Sequence, residues 1–177
     1  MTLTTNKMTK MESIATNYLT RAEIWLCITT LIYFLMNGAQ IFETLVFVPK
    51  WVASPPDNFK LLLDGRGTSL KFFWIIFHSL HEITFILAII FCWKIEPVRN
   101  WLIILFALHF AVRVWTLSYF APNIIDFQKI AETPTLAKDL IKRTSLWQTL
   151  NYIRVAIFMA VSFGLIPLCI KLFSLRN

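Results

Sequence analysis

Four blocks of this chain are apolar for about the thickness of a bilayer: Ile24 to Val48, Leu70 to Trp93, Trp101 to Phe120, and roughly Ser145 to Phe173. A membrane-spanning helix needs about 20 mostly apolar residues. Backbone in hydrocarbon must satisfy its own hydrogen bonds, so blocks of this length fold as helices. The expectation is an all-α fold, a bundle of four transmembrane helices over residues 24–173 behind a polar N-terminal segment, residues 1–23. Composition agrees, with 57% hydrophobic and only 15% charged residues, where a soluble domain is about half apolar and about a quarter charged. The N-terminal segment lacks a basic start, a short apolar run and a small-residue cleavage site. No cleavable signal is therefore expected, and the first span should insert uncleaved.

Four spans put both termini on one side, here side A, together with the short turn "KIEPVRN". Side B carries two longer connections, residues 49–69 and 121–144. In the first, "NFKLLLDGRGTS" offers a short apolar run, a Gly-containing turn, and Thr68 or Ser69 to cap the second span. Its "DGRG" lacks the spacing of a phosphate-binding loop. In the second, "TPTLAKDLIKR" has Thr133 as N-cap and Pro134 at the first helical position. Leu136, Leu140 and Ile141 then share a face, which suits either a surface helix or a lid over the bundle mouth. Lys and Arg number seven on side A and eight on side B, so the positive-inside rule assigns no orientation. The net charge of +7 suits contact with anionic headgroups, and no nucleic-acid motif is present. Cys27, Cys92 and Cys169 all fall near side A ends of spans, in no zinc spacing. They read as small buried hydrophobes, with palmitoylation or a redox pair as the other uses.

The spans also carry polar residues that lipid does not tolerate unless they face inward. The stretch "WIIFHSLHEITFILAIIFCW" holds His78, His81 and Glu82. The first span has Asn37, Gln40, Glu43 and Thr44; the third has His109, Arg113 and Thr116; the last has Trp147, Gln148, Asn151 and Arg154. Residues three or four apart share a helix face. His78 stacks with Glu82, His109 with Arg113, and Trp147 with Asn151 and Arg154, while Asn37, Gln40 and Thr44 form one stripe. His81, about 100° from Glu82, falls off the second helix's stripe. Measured from the middle of each span, Glu43 lies about 10 Å toward side B, Arg154 about 7 Å and His78 about 6 Å, with Glu82 and His109 near the midplane. These groups predict one polar pocket, floored near the midplane and open beneath the side B connections.

Glu43 and Glu82 balance Arg113 and Arg154 in charge, so two buried ion pairs acting as helix glue are one reading. The number of polar groups favours a site. His78, Glu82 and His109 suit general acid–base work. Asn37, Gln40, Glu43, Arg113, Trp147, Asn151 and Arg154 would bind the substrate, the arginines stabilising a carboxylate, enolate or phenolate. Metal ligation by Glu43, His78, Glu82 and His109 is chemically compatible, as is haem on His78 or His109. The Glu-x-x-His repeat of di-iron bundles is missing, and two arginines would repel a cation, so no cofactor is expected. Four helices without an internal repeat do not suggest a secondary transporter.

"LMNGAQIFETLVFVP" on the first helix and "WQTLNYIR" on the last resemble the anthrone oxygenase-like four-span membrane family. Its members often carry an aromatic, an Asn or His, and an Arg on the final helix, positions held here by Trp147, Asn151 and Arg154. The resemblance implies oxygenation of an electron-rich aromatic without an obvious cofactor. The His-x-x-His-Glu cluster of the second helix has no counterpart in that pattern. The expected protein is a multi-pass protein of the cell (inner) membrane: an oxidoreductase or acid–base enzyme acting on a hydrophobic small molecule or lipid. The alternative is a binding or structural protein whose polar residues hold helices together. Membrane lipids are the expected partners, nucleic acid is not, and homo-oligomerisation stays open.

Overall fold

The computed structural model describes the backbone over residues 2–63, 70–132 and 139–176, and side chains over 15–63, 71–132 and 139–176. Among the described residues the chain is helical, without strands. The elements are α1 (Thr2–Phe42), a π-helical turn (Glu43–Phe47), α2 (Val48–Val52), a 3-10 segment (Asp57–Leu62), α3 (Leu70–Phe91), α4 (Glu96–Trp115), a second π-helical turn (Thr116–Phe120), α5 (Ala121–Glu132) and α6 (Leu140–Ser174). Four helices are long and apolar enough to cross a membrane: Ala15–Val52, Lys71–Phe91, Glu96–Glu132 and Leu140–Ser174. The expected all-α four-helix transmembrane bundle is what the chain forms.

Three of the four helices run further than their apolar blocks. Only the second, of 21 residues, matches a hydrocarbon core of about 30 Å at about 1.5 Å per residue. The first, third and last, of 38, 37 and 35 residues, overshoot it. The two side B connections are correspondingly less loop-like than expected. Residues 121–132 continue the third helix, and Leu140–Arg143 are the first turn of the last helix rather than part of a separate surface helix. In that turn Leu140 is buried and Ile141 is 73% exposed, so the shared face expected of them is not formed. Thr68, Ser69, Thr133, Pro134 and Leu136 lie outside the described residues. On side A, the helix of the third span begins at Glu96 with Pro97 in its first turn, where proline's missing N–H is not needed. Most of the expected turn "KIEPVRN" is therefore helix.

Packing follows a spacing of three and four. In α6 a buried stripe runs through Leu140, Thr144, Trp147, Asn151, Arg154, Phe158, Val161, Leu165, Leu168 and Leu172 at alternating steps of four and three, with Val155 and Ser162 buried beside it. That is the seam of near-antiparallel helices packing side by side. In α3 the same spacing runs through His78, His81, Phe85 and Ala88 and on to Cys92 just past its end, all buried. Leu31, Phe42, Ile83, Phe110 and Ile153, each 48% exposed or more, are among the residues that form the lipid-facing shell.

Two cores result. One fills the membrane with Leu26, Tyr33, Met36, Phe85, Leu102, Phe158 and Leu165 among others. The second gathers Trp51, Phe59, Phe120, Phe127 and Trp147 into an aromatic cap at the side B end. Polar contacts stitch the cap. The Gln128 amide donates to the Leu62 carbonyl at 2.7 Å, and Arg143 donates to Asn123 and Asp126 at 3.1 and 2.8 Å. At side A the Lys94 backbone N–H donates to the Tyr18 hydroxyl at 2.9 Å, and Arg176 pairs with Glu23 at 3.3 Å. Trp93 and Trp101 are exposed there, as interfacial aromatics are.

At Gly164, α6 packs closely against Leu105 of α4. A Cβ on the glycine would lie 2.9 Å from Leu105 Cδ2. That atom is the free end of a flexible side chain, so a methyl group can be accommodated, and alanine gains about 1 kcal/mol of helix propensity over glycine. Gly164→Ala should therefore leave the melting temperature in mild detergent nearly unchanged. Gly164→Ile should lower it, at an overpacking cost of about 1–3 kcal/mol.

Candidate functional site

The polar residues of the spans lie on these packing stripes, which is why they meet. On α1, Tyr33, Asn37, Gln40 and Thr44 are buried at steps of four, three and four. At about 1.5 Å per residue they form a column about 16 Å tall, running from mid-membrane toward side B. α3, α4 and α6 supply the other walls.

The floor is an aromatic and imidazole cluster. The Tyr33 hydroxyl lies 3.1 Å from His109 Nδ1. His81 sits edge-on to both, its ring centre 4.0 Å from Tyr33 and 4.5 Å from His109. Phe85 and Phe158 close the cluster around His109 at 6.2 and 5.5 Å. His81 and His109 are fully buried. His81 thus corrects the sequence expectation: it belongs to the buried stripe of α3 and occupies the centre of the bundle. Tyr33 went unmarked in the sequence, although it stands one turn before Asn37 on the same stripe.

Above the floor, His78 packs on Trp74 at 5.5 Å, and the Trp74 side chain hydrogen-bonds the half-buried Glu43. The Arg154 guanidinium lies over the Phe120 ring at 4.5 Å, near enough to Glu43 for their charges to interact. Asn37 donates to the Phe158 carbonyl at 3.2 Å and to the Ser162 hydroxyl. Asn151 donates to Thr44 at 2.9 Å, joining α6 to the π-helical turn of the first span. Such turns recur at functional sites, where one extra residue per turn redirects side chains.

Glu82 stands apart from the expected His78 pair. Its carboxylate accepts from Arg113 Nε at 2.8 Å, and the two side chains are 34% and 16% exposed. This pair joins α3 to α4 at the rim of the bundle, partly open to lipid. Of the two ion pairs expected, it is the one that closes within 4.0 Å among the described residues. Trp147 is buried in the cap, 5.0 Å from Trp51 and 5.4 Å from Phe120, and donates its N–H to the Phe120 carbonyl at 3.3 Å. It roofs the polar column and does not line it.

Among the described residues, several buried polar atoms of this column have no hydrogen-bond partner. They are Asn37 Oδ1, Gln40 Oε1, His78 Nδ1, both His81 ring nitrogens, His109 Nε2, Asn151 Oδ1 and Arg154 Nε. Four helices contribute them, and all sit between the Tyr33 layer and the cap. Among the described residues, no three His, Cys, Asp or Glu side chains converge as metal ligands. The four residues whose chemistry is compatible with a metal, Glu43, His78, Glu82 and His109, do not meet as one set: Glu82 faces Arg113, and His109 faces Tyr33.

No protein-family model, no curated protein and no solved structure matches this chain.

The Glu82–Arg113 contact makes a direct prediction. Removing one member of a buried pair strands the other charge, at about 3–5 kcal/mol for full burial, and less at a partly open rim. Glu82→Gln should lower the melting temperature, and adding Arg113→Met should recover part of the loss. Scanning calorimetry of wild type, both single variants and the double measures it; additive losses would show that the two side chains do not interact.

Proposed function

We propose that this protein is a small enzyme of the cell (inner) membrane, of oxidoreductase, oxygenase-like or acid–base type. It acts on a hydrophobic or aromatic molecule within the bundle, at the polar column beneath the side B cap. The observation that carries this reading is the set of unpartnered buried atoms. Each costs about 1–3 kcal/mol if it stays unsatisfied, and groups that serve only as glue are arranged to satisfy one another. Groups awaiting a hydroxyl, a carbonyl or water are left open in this way.

The residue types suit proton handling. His81 and His109 are imidazoles in contact, and the Tyr33 hydroxyl is bonded to one of them. Imidazole is the side chain best matched to general acid–base work near neutral pH. Arg154 has an unpartnered Nε at the same column and would stabilise an enolate or phenolate as it forms. The partly lipid-exposed Glu82–Arg113 pair is a polar rim that an oxygen-bearing molecule dissolved in the bilayer would meet first. The resemblance of "LMNGAQIFETLVFVP" and "WQTLNYIR" to the anthrone oxygenase-like family adds support for an electron-rich aromatic substrate.

A second reading, a membrane protein whose polar residues only tie helices together, draws on the cross-helix bonds of Asn37 to Ser162, Asn151 to Thr44 and Arg113 to Glu82. His81 separates the two. Neither of its ring nitrogens has a partner, so His81→Phe keeps the ring packing and removes only unsatisfied atoms. Under the enzyme reading this variant melts at or above the wild-type temperature. It also loses the stabilisation that long-chain phenols and quinols confer on wild type in nanodiscs, which is about 2.7 kcal/mol at a hundredfold excess over Kd. A wild type that no such ligand stabilises, with a His81→Phe variant that melts early, decides for the structural reading. Elemental and absorption analysis of the purified protein completes the test: a Soret band or stoichiometric metal would replace the cofactor-free mechanism.

A further inference from the structure

The side A half of the bundle holds a second cluster that the polar column does not use. The chain's three cysteines, far apart in sequence, all lie in that half, one on each of three spans or just past its end. Cys169 Sγ on α6 lies 3.4 Å from the Thr30 hydroxyl on α1. Cys27 stands three residues before Thr30 on the same face of α1, which puts it one turn along the helix from the hydroxyl that Cys169 touches. Cys92, at the end of α3, is fully buried, with its sulfur 4.0 Å from the Ala22 carbonyl. Cys27 and Cys169 are part-exposed and unbridged.

We propose that Cys27 and Cys169 are a redox-active thiol pair within the membrane, closing to a disulfide that ties the first spanning helix to the last, with a lipid-soluble quinone as electron acceptor. The choice of pair follows from access: Cys92 is sealed in the core, while the other two reach the lipid-facing surface. The choice of oxidant follows from depth. The contact of Cys92 with Ala22 marks the side A end of the α1–α3 seam, and Cys27 lies five residues further in, about 7 Å along the axis. Water-soluble oxidants are scarce there, and quinones are not. The step balances: the two S–H bonds break, one S–S bond forms, and the two electrons and two protons released reduce one quinone to hydroquinone. Soft-metal binding by the three thiols is the rival use, but they do not form a three-ligand group among the described residues. The bridge would restrain α1 and α6, the helices that carry Tyr33, Gln40, Asn151 and Arg154, about 9 Å along the axis from Tyr33. This inference goes beyond the function proposed above and does not rest on it.

The test uses the full chain in phospholipid nanodiscs, reduced and then treated with a fully substituted alkylbenzoquinone, which cannot arylate thiols. After acid quenching, free thiols are alkylated with N-ethylmaleimide in denaturant and counted by intact mass. Reduced wild type should carry three adducts, one for each cysteine. Oxidised wild type should carry a single adduct, yield a Cys27–Cys169 linked peptide, and release one equivalent of hydroquinone. Dithiothreitol should restore all three adducts. Cys92→Ser should lose two thiols just as wild type does, whereas Cys27→Ser and Cys169→Ser should keep both remaining thiols alkylatable. Retention of three adducts under quinone, a linked peptide containing Cys92, or cross-linking by copper phenanthroline but not by quinone would each overturn the proposal.

Discussion

The Tyr33–His109 hydrogen bond at the centre of the bundle sets the terms for the rest of the structure. A tyrosine of the first span and a histidine of the third meet at 3.1 Å, with His81 of the second span against both rings. In hydrocarbon neither group has water as an alternative partner, so three helices must present their polar side chains to one another. Below this layer, toward side A, Phe85, Leu26 and Leu165 make an apolar seam. Above it, toward side B, the column stays polar up to Asn151 and Thr44.

That polarity has to be sealed from bulk water without being filled by apolar side chains. The overshoot of the first, third and last helices does this. Their side B extensions, with the 3-10 segment, gather Trp51, Phe59, Phe120, Phe127 and Trp147 over the column. The two π-helical turns, Glu43–Phe47 and Thr116–Phe120, fall where spanning helix passes into cap. Each inserts a wider turn that shifts the helix's buried face between the two cores. The first supplies Thr44 to Asn151, and the second supplies the Phe120 ring to Arg154.

Polar groups in the bundle sort into two kinds. Asn37 with Ser162, Asn151 with Thr44, and Glu82 with Arg113 are bonded across helix boundaries, which is what holds membrane helices in register. Among the described residues, the His81 ring nitrogens, Gln40 Oε1 and Arg154 Nε are buried without a hydrogen-bond partner. A bundle selected for cohesion alone would have apolar side chains at these positions, because an apolar replacement of similar shape is often neutral or stabilising. The open groups are therefore the part of the structure that asks for a function.

The four helices, their inward polar stripes and the placement of Gln40, His109, Asn151 and Arg154 in one half of the bundle were legible in the chain. Bilayer thickness and helical rise leave little freedom to blocks of this length and composition. The last helix shows it best, since Asn151 and Arg154 stand at the steps of three and four along which the helix packs. His81 was misplaced because the polar residues of the second span were grouped with one another. The stripe that decides burial runs through His78, His81, Phe85, Ala88 and Cys92, and it puts Glu82 at the edge. Tyr33 was missed because a tyrosine in a span reads as an apolar residue until a partner is known. Which groups pair depends on the rotation and offset of neighbouring helices, and no single helix encodes these. That is why Arg113 meets Glu82, Trp147 enters the cap, and Cys27 lies beside Cys169: the sequence determined which face of each helix is inside, and only the packing of the four decided who faces whom.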